Sequence, residues 1–404
     1  MKIAVTADLH LNSKYLDRAL ALQNILAQLD TEGIQHLIIA GDLFDKDGDV
    51  SAYSSFLDPC RSYPDIQIHL IPGNHDSEQS LADLHLDSLH KYQTPEAVEF
   101  EGLQVLFVPY QKGLSMGDVI NAAINFPEGQ AWVLVGHGDF IDGSREPNPR
   151  EKGIYMPLKK SDILESNLKK VFLGHIHSPT DLKKPLGGKV IYPGSPQGLD
   201  VSETGHRRFL VLDTNRIEIR ESRVQSNSIF LDETFFIFPS DQEMKQLREQ
   251  LEQRLMLADW ENEKERIYVR FQVVGFSRQK DELIESFTLS VKSLGIKLYE
   301  SSNSSHSPNP NFDGLLNATD PQRNLVARKV IEKIDLLDAK IEDSLPLEIE
   351  DKSRWRFDQG EPSKEQVKMA ALKTIYQINY YLGNVCIINF SGCFILTVSL
   401  RYCH

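Results

Sequence analysis

The sequence predicts an α/β protein built in layers, followed by a smaller α+β domain and C-terminal helices. Three observations carry this. Over the first 200 residues short apolar runs alternate with longer segments of helical spacing, the apolar runs are continuous, and most of them close on polar residues. Strands alternating with helices imply stacked α and β layers, and strands that are apolar on both sides imply a sheet covered on both faces.

In chain order, residues 3–7, 36–40, 66–71, 105–109, 132–135, 171–173 and 190–192 read as strands. Residues 16–29 read as an amphipathic helix, because Leu16, Leu20, Leu22, Ile25, Leu26 and Leu29 form one broad apolar face. Near residue 225 the pattern changes. Ser240 and Glu243 form a capping box ahead of Met244, Leu247, Leu251 and Leu255, so a helix begins there. Ile267, Val269, Phe271 and Val273 alternate with Tyr268, Arg270 and Gln272 as a half-buried strand, and a helix over 278–293 and a strand over 296–299 follow. The run 301–311, rich in serine, asparagine and proline, reads as a linker. Thr319 with Gln322 caps a further helix whose Val326, Val330, Ile334, Leu337 and Ile341 form one stripe, and another helix spans 364–377. The expected organisation is a first domain over 1–225, an α+β domain over 226–300, a linker over 301–318, helices over 319–376 and an uncharged tail over 377–404.

With 404 residues and 41% hydrophobic side chains the chain can bury more than one core, and a mean hydropathy of -0.33 excludes a multi-spanning membrane protein. Between Lys373 and Arg401 there are 27 uncharged residues, but Gln377, Asn379, Asn384, Asn389, Ser391 and Thr397 interrupt them. A packed C-terminal element or a non-native tail is expected there, and no membrane. Four cysteines, three of them among the last twenty residues, make no disulfide scaffold. The largely apolar run before Asp8 is too short for a signal-peptide core, and the expected location is the cytoplasm. The net charge of -14 is unevenly spread: residues 1–150 hold 22 acids and 9 bases, whereas 151–225 hold 9 acids and 13 bases. Acid dominates where cation ligands would sit, and the second block supplies bases that could meet phosphate.

The chemistry lies at the strand ends. Asp8 and His10 follow the first run, Asp42 follows Gly41 after the second, and Gly73-Asn74-His75-Asp76 follows the third. Gly136-His137 closes the fifth run and Gly174-His175-Ile176-His177 the sixth. Taken singly, each is a common turn former or hydrogen-bonded strand end. Together they place five donor-bearing strand ends on one expected sheet, and open α/β sheets bind ligands outside the carboxyl ends of their strands. Oxygen and imidazole donors without cysteine suit Mn²⁺, with Mg²⁺, Fe²⁺ or Zn²⁺ as alternatives. The donors are too many for one ion; two ions about 3.5–4 Å apart that share a carboxylate would use them, activate water and neutralise a phosphoryl oxygen.

This set resembles the calcineurin-like metallophosphoesterases through Asp8-x-His10, Gly41-Asp42, Gly73-Asn74-His75-Asp76, Gly136-His137 and Gly174-His175-x-His177. Within that superfamily the chain is most similar to the SbcD-type DNA repair exonuclease subunits and their phage recombination relatives, because Tyr192-Pro193-Gly194-Ser195-Pro196 and Glu203 follow. The resemblance implies the metallophosphoesterase sheet sandwich with flanking helices, with 226–300 as the family's capping domain. It implies that Asp8, His10, Asp42 and His177 hold one ion and that Asp42, Asn74, His137 and His175 hold the other. It also implies that His75 contacts the scissile phosphate and assists the leaving oxygen, with Asp76 orienting it. Asp45 stands where some relatives carry histidine, and the uncharged tail matches nothing in the family.

The implied activity is that of a Mn²⁺-dependent DNA exonuclease and endonuclease subunit. It would act on ends and hairpins in repair or recombination, as a homodimer within a heterotetramer with an SbcC-type coiled-coil ATPase. The stripe over 326–341 is a candidate docking helix for that partner, or else packs against its own domain. Arg145, Arg150, Lys152 and Tyr155, in a Gly- and Pro-rich segment beside the expected site, are candidate DNA contacts. A nucleotide phosphodiesterase or phosphoprotein phosphatase would use the same ligands, and a non-catalytic scaffold would need neither a second ion nor His75.

Overall fold

The continuous apolar runs of the first half become the inner strands of two sheets. A computed structural model describes residues 1–45, 50–123, 130–142, 153–164, 167–257, 260–300, 309–335 and 364–377. They form two units, Met1–Leu231 with Glu265–Tyr268, and Asp232–Lys264 with Val269–His404. The first runs β1 (Lys2–Thr6), α1 (Leu16–Glu32), β2 (His36–Ala40), α2 (Val50–Arg61), β3 (Gln67–Ile71), α3 (Glu78–Ala82), β4 (Leu89–Lys91), β5 (Glu96–Phe100), β6 (Leu103–Val108), α4 (Met116–Ala123), β7 (Trp132–His137), β8 (Phe140–Ile141), β9 (Leu158–Lys159), α5 (Lys160–Leu164), β10 (Leu168–Gly174), β11 (Val190–Ile191), β12 (Arg208–Asp213) and β13 (Glu218–Arg223).

One sheet has the order β13-β12-β1-β2-β3-β4 and the other β11-β10-β7-β6-β5. Strands β1 to β4 pair in parallel, as do β6, β7, β10 and β11. The expectation of a single sheet is thus corrected: the ligand-bearing strand ends are divided between two. The reason is burial. Ile3, Val5, Ile38 and Ile71 of the first sheet share one core with Val105, Phe107, Val133 and Phe172 of the second. Helix α1 covers the other face of the first sheet through Leu22, Ile25, Leu26 and Leu29, which meet Leu37, Ile39 and Ile68. Helix α4 covers the other face of the second through Met116 and Ile120, which meet Leu106, Leu134 and Leu173. Each inner strand is therefore apolar on both sides, which explains its unbroken pattern. Strands β4, β5, β12 and β13 go beyond the expected set; β13 is an edge strand with mostly exposed residues, so it carries no apolar period.

The elements that follow are β14 (Ile229–Ile237), α6 (Glu243–Leu257), α7 (Trp260–Glu263), β15 (Ile267–Ser277), α8 (Lys280–Ser293), β16 (Lys297–Leu298), β17 (Leu315–Asn317), α9 (Pro321–Asp335) and α10 (Lys364–Gln377). In the second unit Phe235 lies 5.5 Å from Phe271 and 5.7 Å from Phe287, ring to ring. Glu243 reaches back to the backbone N–H of Ser240 at 3.1 Å, which is half of the expected capping box.

Three expectations change here. Within the stretch read as a linker, β17 pairs in parallel with β15 and buries Leu315. Helix α9 is capped by Asp320, whose carboxylate accepts the Arg323 N–H at 3.2 Å, with Pro321 as its first residue; proline suits that position because its missing donor has no intrahelical partner there anyway. The residues of α9 that reach the core are Ala327 and Ile331, which join Phe276, Ala318, Met369 and Leu372, rather than the Val326 and Val330 row. Leu337, Ile341 and the tail 378–404 lie outside the described residues. Among the described residues no helix is long and apolar enough to cross a membrane.

Candidate metal centre

The loops that leave β1 and β2 are hydrogen-bonded side by side: Asp8 N–H donates to Gly41 O at 3.0 Å, His10 N–H to Asp42 O at 3.0 Å and Leu11 N–H to Leu43 O at 2.8 Å. This ladder holds Asp8, His10 and Asp42 together. Among the described residues seven non-glycine residues have positive φ, and four of them are Asp8 (54°), His10 (45°), Asp42 (51°) and His175 (94°). Such backbone is costly and persists only where the surroundings enforce it, commonly at functional sites. Two glycines are needed for close approach. A Cβ on Gly41 would lie 2.2 Å from His137 Nδ1, and one on Gly174 would lie 2.0 Å from Ala40 O.

The side chains gather in two adjoining groups. In one, Asp8, His10 and His177 bring ligand atoms within 4.8 Å of one another. His10 Nε2 lies 3.1 Å from His177 Nε2 and 3.6 Å from Asp42 Oδ2. In the other, Asp42, His137 and His175 do the same, and Asn74 Oδ1 sits 2.9 Å from His137 Nε2 and 3.0 Å from His175 Nδ1. Asp42 Oδ2 is also 3.4 Å from His137 Nε2, so this carboxylate touches both groups.

The donors fit cations. Asp8 Oδ2 and His10 Nδ1 are buried with no hydrogen-bond partner among the described residues, a costly state for polar atoms unless something else satisfies them. Burial raises the Asp8 pKa to about 6 and lowers that of His10 to about 3. Burial would also raise Asp42, but His137, His10 and His75 hold its carboxyl below the usual range. Burial would lower His137, but Asp42 and Asp8 outweigh it and raise its pKa to about 9. Positive charge is thus favoured at His137 beside its carboxylates and disfavoured at the buried His10, and an oxygen and imidazole set suits hard or borderline divalent ions.

His75 is half-buried; its N–H donates to Asp42 Oδ1 at 2.9 Å and its ring lies 5.0 Å from that of His10. Asp76, expected to orient His75, has a carboxylate bonded to backbone. Its carboxylate accepts backbone N–H groups from Gly73 at 2.9 Å, Phe44 at 3.1 Å and Leu43 at 3.2 Å, and so ties the loop after β3 to the loop after β2. Tyr155, a candidate DNA contact, lies against His175 with ring centres 4.8 Å apart and the planes tilted by 39°. Arg145, Arg150 and Lys152 lie outside the described residues.

Sequence reasoning assigned no role to three further acids. Asp45 shares a group with His10 and His75, ligand atoms within 4.8 Å, and is paired with Arg18 at 3.1 Å. Asp139 accepts the Tyr155 N–H at 2.8 Å and lies 3.8 Å from His175 Nε2. Glu203 accepts from His177 Nδ1 at 2.8 Å. Asp45 lies three residues after Asp42 and Asp139 two after His137, so adjacency to a ligand was the available signal.

Residues 1–179 match the family model described as calcineurin-like phosphoesterase. Among solved structures, an archaeal phosphodiesterase is 18% identical, with 55% of this chain and 99% of that chain covered and a TM-score of 0.30. The protein TT1561 of Thermus thermophilus is 14% identical, with 55% and 99% covered and a TM-score of 0.37. No curated protein matches the chain. The family match supports a metal-dependent phosphoesterase; likenesses this distant carry nothing about substrate.

Proposed function

We propose that this chain, whose first 179 residues match the calcineurin-like phosphoesterases, hydrolyses phosphodiester bonds of DNA at ends and hairpins with two divalent cations, manganese foremost. In this reading it is a cytoplasmic nuclease subunit of repair or recombination, a homodimer that works beside an SbcC-type coiled-coil ATPase. The observation that carries hydrolysis is the convergence of two donor groups on one carboxylate, Asp42.

Asp8, His10, Asp42 and His177 would hold one cation, and Asp42, Asn74, His137 and His175 the other. When bound, such a pair lowers the pKa of water and neutralises phosphoryl oxygens. The chain supplies the rest. Asp42 remains a carboxylate at neutral pH because the surrounding histidines keep it ionised. His75, fixed through its backbone to Asp42 and less buried than His10 or His137, is free of a ligand role in either group of four and donates a proton to the leaving oxygen.

The preference for DNA is supported by the Tyr192-Pro193-Gly194-Ser195-Pro196 segment and Glu203, and by the basic excess over 151–225. The test is release of label from duplex and hairpin DNA, beside a cyclic nucleotide and an aryl phosphodiester, with Mn²⁺ or Mg²⁺ and with or without the ATPase. DNA cleavage is expected. Cleavage of the small esters alone would overturn the nuclease and leave a nucleotide phosphodiesterase or phosphatase on the same site.

A further inference from the structure

The segment after the last strand-end histidine folds back on that histidine. Ser195 N–H donates to His177 O at 3.1 Å. Arg207 donates from Nε to Ser195 O at 2.8 Å and from a terminal nitrogen to Ser195 Oγ at 2.7 Å, and a further short bond joins it to His177 O. At the centre lies Glu203, 3% exposed. Its Oε1 is 2.8 Å from His177 Nδ1, and its Oε2 accepts the Ser195 hydroxyl at 2.6 Å and the Leu199 N–H at 3.1 Å. Arg207 stands 3.7 Å away as countercharge.

We infer that Glu203 is the positioning residue of one cation site, that of Asp8, His10 and His177. On the two-cation reading above, the tautomer of His177 decides which of its nitrogens can hold a cation. A carboxylate oxygen accepts, so the bond places a proton on His177 Nδ1 and turns Nε2 to face His10 Nε2 at 3.1 Å. The carboxylate also fixes the plane of the ring and makes the imidazole a stronger donor to a cation. In the other group His137 uses a backbone partner instead: its Nδ1 donates to Ala40 O at 2.9 Å. The His175 ring lies 3.8 Å from the Asp139 carboxylate through Nε2. Glu203 therefore acts on the group of Asp8, His10 and His177 through His177, from outside the ligand set.

Glu203→Gln tests this by its separate effect on two sites. Mn²⁺ binding to the full-length protein is followed by equilibrium dialysis and by electron paramagnetic resonance, with thermal melting of the metal-free protein alongside. The wild type should bind two ions. Glu203→Gln should bind one with unchanged affinity and the second about 10- to 100-fold more weakly, and the signature of a coupled ion pair should vanish at limiting Mn²⁺. Ser195→Ala, which leaves the Glu203–His177 bond in place, should keep both sites. Equal two-site binding by wild type and Glu203→Gln would overturn the inference; no binding by wild type would instead overturn the two-cation reading. Should Glu203→Gln fail to fold, nitrogen NMR of the imidazoles in the wild type decides: a metal-free His177 protonated on Nδ1 agrees, and one protonated on Nε2 contradicts.

Discussion

His10 and His177, 167 positions apart in sequence, face each other with their Nε2 atoms 3.1 Å apart in the interior of the first unit. Two imidazole nitrogens at that distance share either a proton or a cation. With Glu203 engaging His177 Nδ1 at 2.8 Å and Asp8 Oδ2 left without a hydrogen-bond partner among the described residues, a cation is the arrangement that satisfies both Nε2 lone pairs and Asp8 Oδ2.

Removing the His75 imidazole separates chemistry from binding. His75→Ala should keep both cations, because the ring belongs to neither group of four, and should lower turnover of a phosphodiester about 100- to 10,000-fold. Metal content by elemental analysis and single-turnover rates check this; turnover that survives would remove His75 from the proton-donor role.

Asp76 should behave as a residue of the fold. Its carboxylate accepts three backbone N–H groups from two loops, and Asp76→Ala would leave them unpaired in a partly buried place, at a cost of about 2 kcal/mol or more. A clear fall in the melting temperature of the metal-free protein is expected. An unchanged melting temperature with lost activity would return Asp76 to a direct role in the chemistry.

Stability in acid should depend on His69. This ring is buried in the first unit, with Nε2 3.0 Å from His36 Nδ1, Nδ1 2.8 Å from the Tyr92 hydroxyl and the His90 ring stacked at 4.9 Å. Burial first, then the neighbouring His36 and His90, lower its pKa from 6.5 to about 3. Between those values the unfolded chain binds the extra proton, so the contribution is intact above 6.5 and is lost as pH falls toward 3. Chemical denaturation of the metal-free protein near neutrality and at about pH 5 should show a smaller acid loss in His69→Phe than in wild type. Equal losses would contradict it.

Arg145 and Arg150 belong to the proposed duplex contact. The double change to alanine should weaken binding across all sequences and flatten the dependence of affinity on salt by about one counterion per lost phosphate contact. Unchanged binding would remove both residues from the interface.

Much of the site was legible because its residues follow apolar runs directly: His137 ends β7, and Asp42 and His175 each stand within two residues of a strand end. The division into two sheets was legible through the resemblance to the metallophosphoesterase sandwich but not in the apolar runs themselves. A run such as Val133 to Val135 is apolar on both faces whichever sheet it joins, and only the shared core with Ile38 and Ile71 decides. The roles of Asp76, Glu203 and Asp139 were hidden for another reason, since hydrogen bonds to backbone N–H groups and to distant rings leave no period in a sequence. Helix α9 misled by one position. Val326 and Val330 look like the buried row, but Ala327 is the buried residue that shares a core with Met369 and Leu372 of α10.

The most direct test is a crystal of the protein grown or soaked with Mn²⁺, with anomalous scattering recorded at the manganese edge. Two peaks should appear, one among Asp8, His10, Asp42 and His177 and one among Asp42, Asn74, His137 and His175. A single peak, or manganese bound away from Asp42, would contradict the account.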